Sequence, residues 1–314
     1  MSLDNPKVLV VGATGLVGSE IVRQLISKGF NPRIFVRNKD KAIKVHNSNL
    51  DIYTGTIEDI DNLKQAMQGC DAVYNCVGEK SNETSFYATN KAGVKNIATA
   101  GKEAGIEFLC HVSSVSVAGK VNSNEVNEET ECSPYSDYEK SKYQGELELR
   151  GIAIPKVVIL RPTHVFSAST MHDFASISKA RLLLKGGENA NLVYVKDVAA
   201  AAVWLLQNAD KIHTNQIETF IISSNHENGN TIGEVNKFIN SGGADSSSKT
   251  IALPLICPYL LRKMRFGVTN WGNVSYNSEK LRSLGFELPY GWKNGVIDLL
   301  GETAGEHTAS KKVT

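Results

Sequence analysis

No apolar run in this chain approaches the roughly 18 residues that a membrane-spanning helix needs. No sign of charge dominates either. The formal net charge is +1, so no global basic field invites nucleic acid or an anionic membrane. Paired ligand spacings are missing as well. The five cysteines (70, 76, 110, 132 and 257) form an odd, scattered set without CxxC, and neither HExxH nor a carboxylate-rich calcium loop occurs. These absences exclude a disulfide scaffold and a motif-borne metal site. They leave the cysteines as reduced thiols of a cytoplasmic protein. The first residues, MSLDNPK, lack the apolar core of a secretory signal. No repeat of roughly 20 to 50 residues recurs, which excludes a solenoid.

What is present is an ordinary globular balance, 41% hydrophobic and 21% charged, in 314 residues. Strand-like and helix-like stretches alternate. KVLVVG (7–12) reads as a fully buried strand, and Ile21, Val22, Leu25 and Ile26 have helical spacing in the segment that follows. PRIFVR, LDIYTGT, DAVYNCVG, EFLCHVSSVSV and KVVILRP read as further strands, with helices at IDNLKQAMQG, TSFYATNKAGVKNIATAGKEAG and the stretch after Ser133. Such alternation predicts an α/β fold, a doubly wound parallel sheet covered by helices. After Pro162 the rhythm breaks. Residues 167–190 and 223–301 read as a smaller, mostly helical substrate lobe. Residues 1–166 and 191–222 form the main domain, and 302–314, lacking large apolar residues, a frayed tail. Within the lobe, IALPLICPYLLRKMRF reads first as a helix packing its own core, although Arg262, Lys263 and Arg265 also suit a diphosphate.

Two stretches carry chemistry. In VVGATGLVG, Gly12, Gly15 and Gly18 stand between the first strand and the first helix. Glycines there permit a tight turn, close backbone approach to phosphate and helix–strand packing, and the helix N-terminus offers free N–H groups to a pyrophosphate. The tip of the second strand carries Val36, Arg37 and Asn38 where a site preferring NAD needs an acid for the ribose 2′-hydroxyl. Arg37 suits a 2′-phosphate instead, so NADP is the expected cofactor, with NAD as the alternative. Thr56 and Ile57 follow the third strand near the expected adenine edge.

The second stretch is SPYSDYEKSKYQGELEL (133–149), with three tyrosines. A tyrosine serves as proton donor or acceptor if a nearby cation lowers its ordinary pKa of about 10. Residues i and i+4 share a helix face. Only Tyr138 has a lysine there, Lys142; Tyr135 has Glu139 and Tyr143 has Leu147. A second hydroxyl comes from the serine cluster Ser113, Ser114 and Ser116 at the end of the preceding strand.

Together, GATGLVG, NKAGVKNIATAGKEAG, VSSVSVAG, YEKSKYQGELE, VVILRPTHVF and NLVYVKDVAAA resemble the extended branch of the short-chain dehydrogenase/reductase superfamily, over about residues 7 to 222. The resemblance implies a Rossmann nucleotide domain. It implies Ser114, Tyr138 and Lys142 as catalytic residues, with Lys142 holding the nicotinamide ribose, and Asn90 near the substrate or proton relay. Gly12, Thr14, Gly15, Leu16, Val17, Gly18, Arg37, Thr56, Ile57, Val77, Gly78, Tyr138, Lys142, Pro162, Thr163 and Val165 are its implied cofactor contacts. The departures are Thr56 for an aspartate, Ala118 for a tyrosine, FSAS for Tyr-Gly-Pro and Lys196 for an acid.

Three functions compete: a reductase or dehydrogenase on a carbonyl or secondary alcohol, a nucleotide-sugar epimerase, and a non-catalytic NADP sensor or assembly subunit. Sugar dehydration is disfavoured, because Val115 and Ser116 stand where dehydratases of this kind carry an Asp–Glu pair. Some segments resemble dihydroflavonol-reductase-like members. A small-molecule substrate is expected, and a homodimer is left open. If Arg37 selects the cofactor, NADP(H) should bind more tightly than NAD(H), and Arg37→Asp should reverse the order. Equal or tighter binding of NAD(H) in a fluorescence titration of the unaltered protein would sink that reading.

Overall fold

The computed structural model describes residues 6–46, 50–245, 251–266 and 273–310. In chain order the elements begin with β1 (Val8–Val11), α1 (Leu16–Ser27), β2 (Arg33–Val36), α2 (Lys39–His46), β3 (Asp51–Thr54), α3 (Ile60–Met67) and β4 (Ala72–Asn75). A π-helical turn (Ala88–Gly93) leads into α4 (Val94–Ala104), then β5 (Phe108–Val112), β6 (Glu125–Val126), α5 (Asp137–Glu148), β7 (Lys156–Pro162) and β8 (His164–Phe166). α6 (Ala168–Ala175), α7 (Lys179–Lys185), β9 (Leu192–Tyr194), α8 (Val195–Gln207), β10 (Gln216–Ile222), α9 (Ile232–Asn240), α10 (Ile256–Phe266), β11 (Ser275–Tyr276), α11 (Glu279–Ser283) and α12 (Gly291–Ser310) complete the chain.

Seven strands form one parallel sheet in the order β10-β7-β5-β4-β1-β2-β3. Its central strands are buried throughout and largely apolar, as suits strands covered on both faces. One face packs under α1 and α8, around Ile21, Leu25, Val198 and Leu205. The other packs under α3, α4 and α5, around Leu63, Ile97 and Leu149. The chain builds outward from β1 through β2 and β3, then returns to add β4 on the other side of β1. A crevice opens at such a reversal, outside the carboxyl ends of the strands.

Three parts differ from the sequence reading. NLVYV, within the stretch assigned to the main domain, pairs with β8 in a separate two-stranded sheet. SASTMHDFASISKARLLLKG forms two helices, α6 and α7, because Ser178 caps a new start through the amide of Arg181. The chain beyond Gly301, expected to fray, continues α12 to Ser310; residues 311–314 lie outside the described residues. Leu299 is buried in the lobe core and Lys196 bridges Asp298 and Glu302, so the helix enters that stretch already anchored.

One buried network fixes α5 over the sheet. Glu146 accepts from Arg161 of β7 through Nε (3.0 Å) and Nη2 (2.6 Å), and from the Ser113 hydroxyl just beyond β5 (2.5 Å). Both charged residues are buried. Removing one partner strands the other in low dielectric. Arg161→Met should therefore destabilise by roughly 3–5 kcal/mol, and adding Glu146→Leu should restore much of it. Urea denaturation checks this; equal losses in the single and double variants would show that the pairing is not what matters.

Candidate active site

The glycine loop is shaped by contact rather than by flexibility alone. Gly12 has φ +84°, and a Cβ built on Gly18 would lie 2.3 Å from the Gly12 carbonyl oxygen. Only glycines let α1 start this close to β1. The α1 N-cap, Gly15, provides no side-chain cap, and the first turn holds no acid. Its amides thus face the crevice with their partial positive charge uncompensated. A cavity of about 370 Å³ runs from there past β2 and β3 to β4. It is lined by Gly12, Thr14, Gly15, Arg37, Thr56, Ile57, Val77 and Gly78, all expected from sequence. This lining suits a dinucleotide.

Other expected contacts lie elsewhere. Leu16 lines a separate cavity on the α1–α8 side, and Val17 packs toward the core. Gly18 serves packing. Pro162 ends β7 opposite Ile222, Thr163 donates its amide to the Ile222 carbonyl (3.0 Å), and Val165 pairs with Val193. Asn38, named at the strand tip, and Lys41, which sequence reasoning missed, line the cavity beside Arg37. The signal for Lys41 was the unrecognised helix α2. The Asn38 side chain accepts from the Lys41 amide (2.8 Å), so Lys41 stands one turn beyond Arg37. Glu79 also lines the cavity, and its interaction with Arg37 helps hold its carboxyl below the usual range, after the Ser81 and Asn82 amides.

The helix with the tyrosines starts at Ser136, in a capping box with Glu139. This puts Tyr138 in the first turn and Lys142 in the second. Ser114, just past β5, interacts with the Tyr138 hydroxyl and lowers its pKa, and Phe86 packs edge-on against the Tyr138 ring at 5.8 Å. Lys142 is buried, donates to the Val112 carbonyl (2.9 Å) and lies 3.8 Å from the Cβ position of Gly78, in the cavity lining. Ser114, Tyr138 and Lys142 therefore meet where the crevice ends. Tyr135 is exposed, with Lys120 over its ring.

Asn90, expected near the substrate or proton relay, lies beside the Gly78 end of the crevice and makes three side-chain hydrogen bonds. Its amide donates to the Glu79 carbonyl (2.9 Å) and the Ser141 hydroxyl (3.0 Å), and its oxygen accepts from the Glu79 amide (2.9 Å). It ties the β4 loop to α5, and α5 approaches so closely that a Cβ on Gly145 would sit 2.0 Å from the Asn90 carbonyl oxygen. Asn90 is part of the π turn, which admits the extra residue at this junction.

The Tyr138 hydroxyl is pushed up rather than down: burial raises it, partly offset by its interaction with Ser114. The Lys142 ammonium donates to the Val112 carbonyl. Lys142 itself is pushed down to about 8 by burial, with Glu146 working the other way. His111 on β5 is fully buried and held well below its ordinary value, first by burial and then by Lys142.

Residues 8–219 match the NAD dependent epimerase/dehydratase family. The chain belongs to that family. It thereby joins the extended branch of the short-chain dehydrogenase/reductase superfamily. This family member is 24% identical over 321 residues to the N-acetyl-alpha-D-glucosaminyl-diphospho-ditrans,octacis-undecaprenol 4-epimerase of Escherichia coli O157:H7, covering 93% of each chain. It is 26% identical over 171 residues to the 4-hydroxy-2-methyl-3-oxo-4-farnesyl-3,4-dihydroquinoline-1-oxide ketoreductase of Stigmatella aurantiaca, covering 52% of this chain and 51% of that one. The solved UDP-N-acetylglucosamine 4-epimerase of Bacillus cereus superposes with a TM-score of 0.69 at 19% identity, covering 95% of this chain and 99% of that one. The chain spans about half to three-fifths of the length of the first curated relatives it matches.

Burial of Lys142 has a thermodynamic signature. Its folded pKa lies below the unfolded value, so the folded state binds this proton less tightly. The penalty is full below pH 8 and fades as pH rises toward 10.5, so stability should rise across that window. Lys142→Met removes the titration. Free of nucleotide, its stability relative to the unaltered protein should fall by roughly 3 kcal/mol between those limits. A difference that stays constant with pH in urea titrations would show that Lys142 keeps its ordinary pKa.

Proposed function

We propose that the protein is an NADP(H)-dependent oxidoreductase that interconverts a carbonyl and a secondary alcohol on a small molecule. The observation that carries this reading is the convergence of Ser114, Tyr138 and Lys142 at the end of the glycine-loop crevice. The bound nicotinamide nucleotide would supply or accept the hydride. Gly12, Thr14, Gly15, Thr56, Ile57, Val77 and Gly78 would hold it, with Arg37 and Lys41 toward a 2′-phosphate. Tyr138 donates the proton to the carbonyl oxygen in reduction and takes it back in oxidation. Its raised pKa keeps it protonated, the form a general acid needs. Ser114 orients the Tyr138 hydroxyl and the same substrate oxygen. Lys142 supplies the adjacent cation.

A second cavity, of about 230 Å³, lies beside the serine loop, lined by Ser116, Gly119, Val121, Glu139, Asn191, Val274 and Tyr276. It presents a carboxylate and no cation, and so favours an uncharged carbonyl compound over a diphosphate. One observation favours a second reading, sugar epimerisation: the match to the undecaprenol-linked 4-epimerase extends over 93% of both chains. Epimerisation would use the same three residues with a retained nucleotide.

NADPH oxidation over a carbonyl panel, run beside a hexosamine epimerisation assay, separates the two. On the active substrate, Tyr138→Phe should keep fold and cofactor affinity and lose roughly 100-fold or more in rate. Tyr135→Phe and Tyr143→Phe should stay near the unaltered rate. Full turnover by Tyr138→Phe would make the helix a solvated face and the protein a nucleotide-binding sensor or subunit. Epimerisation without net NADPH consumption would replace the first reading by the second.

A further inference from the structure

One apolar row of segment 251–264 faces outward, not into the lobe. Ile251 is 79% exposed, Ile256 56%, Leu260 48%, Leu261 52% and Met264 77%, with Leu253 and Leu255 also exposed. In α10 Pro258 is buried and Cys257 and Tyr259 are half-buried, so the helix does have an inner side. Residues spaced by four stack along a helix. Ile256, Leu260 and Met264 therefore form one outward stripe about 12 Å long. The Leu253 amide donates to the Leu183 carbonyl (2.7 Å), which joins the segment to α7, where Leu183 is exposed too. A contiguous apolar surface of this kind calls for a partner.

The charges around it select the partner. Lys263 is exposed beside the stripe, with its ammonium 5.8 Å from the Tyr259 ring centroid, and Lys179 and Arg181 are exposed on α7. No acidic residue stands between Asp245 and Glu279 in the sequence. A second copy docking through the same face in a two-fold dimer would set Lys179, Arg181 and Lys263 against their counterparts. An acidic lipid surface meets both features at once, taking the apolar row at the acyl boundary and the cations among the headgroups. Crossing the bilayer is not an option. α10 rises about 16 Å against a hydrocarbon core of about 30 Å, and no helix among the described residues is long and apolar enough to span it. We infer that α10, together with α7, seats the protein on an anionic bilayer, lying in the interfacial plane. The net charge of +1 hides this patch because acidic residues elsewhere balance it. The inference is independent of the reaction proposed above.

Flotation of the full chain with vesicles tests it. The protein should float with vesicles of phosphatidylcholine and phosphatidylglycerol in equal parts, and much less with phosphatidylcholine alone. Raising salt from about 0.05 to about 0.5 M should release much of it, since screening shortens the reach of the headgroup field. Leu260→Glu/Met264→Glu should lower the partition coefficient at least ~10-fold. Lys179→Glu/Lys263→Glu should lower it by roughly fivefold or more per charge. Both variants lie outside the nucleotide crevice, so melting temperature and NADPH affinity should match the unaltered protein and report intact folding. The inference is overturned if the unaltered protein ignores anionic vesicles, or if a folded Leu260→Glu/Met264→Glu variant floats as well as it does. It is equally overturned if sedimentation finds a dimer that this variant splits while vesicle binding is absent, which would make a second copy the occupant.

Discussion

The position of α5 against the ends of β5 and β7 is the constraint on which the site depends, and a buried carboxylate sets it. Glu146 holds Arg161 with two hydrogen bonds and takes a third from Ser113. Ser113 precedes Ser114, and Glu146 follows Lys142 by one helical turn. The network thus locks the serine-bearing strand end to the helix that carries Tyr138 and Lys142. A buried ion pair adds little net stability over an apolar pair of the same shape, but it tolerates few alternative registers. Here register matters, because a slide of α5 by one residue would rotate Tyr138 away from Ser114.

The same junction is held from its other side by close backbone contact. Gly145 lets α5 lie directly on the Asn90 carbonyl, while the Asn90 side chain fixes Glu79 and Ser141. The crevice floor, the π turn and the helix that carries Tyr138 and Lys142 are thereby joined. Within it Lys142 is kept buried, which opposes its charge, and its ammonium is satisfied by the Val112 carbonyl. The result is a cation that is easily discharged beside a phenol that resists ionisation. Polar groups held out of water in this way are a cost to stability that suits a site for proton transfer.

The lobe follows a different logic. Its core, around Phe166, Tyr194, Phe238 and Trp292, is closed, and Lys196 bridges Asp298 and Glu302 of the final helix. Lys196 replaces the acid expected by resemblance, and its role is this clamp. The neighbouring segment through α10 leaves its apolar row outside that core. One lobe thus contains both a sealed interior and an unsealed surface.

The strand–helix alternation, the parallel sheet and the glycine loop were legible from local pattern, because period and glycine placement act over a few residues. Tyr138 and Lys142 were legible for the same reason: helical spacing alone puts them on one face. The capping box at Ser136 and the cap at Asn38 were equally local signals and went unread, and with the second went α2 and Lys41. Other features were beyond any local reading. Asn90 ties Glu79 to Ser141, which lie far apart in the chain and close on it only in the fold. Tyr138 is pushed up because the fold buries it, which helical spacing to Lys142 does not record. β9 pairs with β8 in a sheet of its own, which its local pattern does not reveal. The stripe on α10 has the pattern of a core helix, and periodicity records only that one face is apolar. Whether that face meets the protein or its surroundings depends on what the rest of the chain brings to it, and only the tertiary structure decides that.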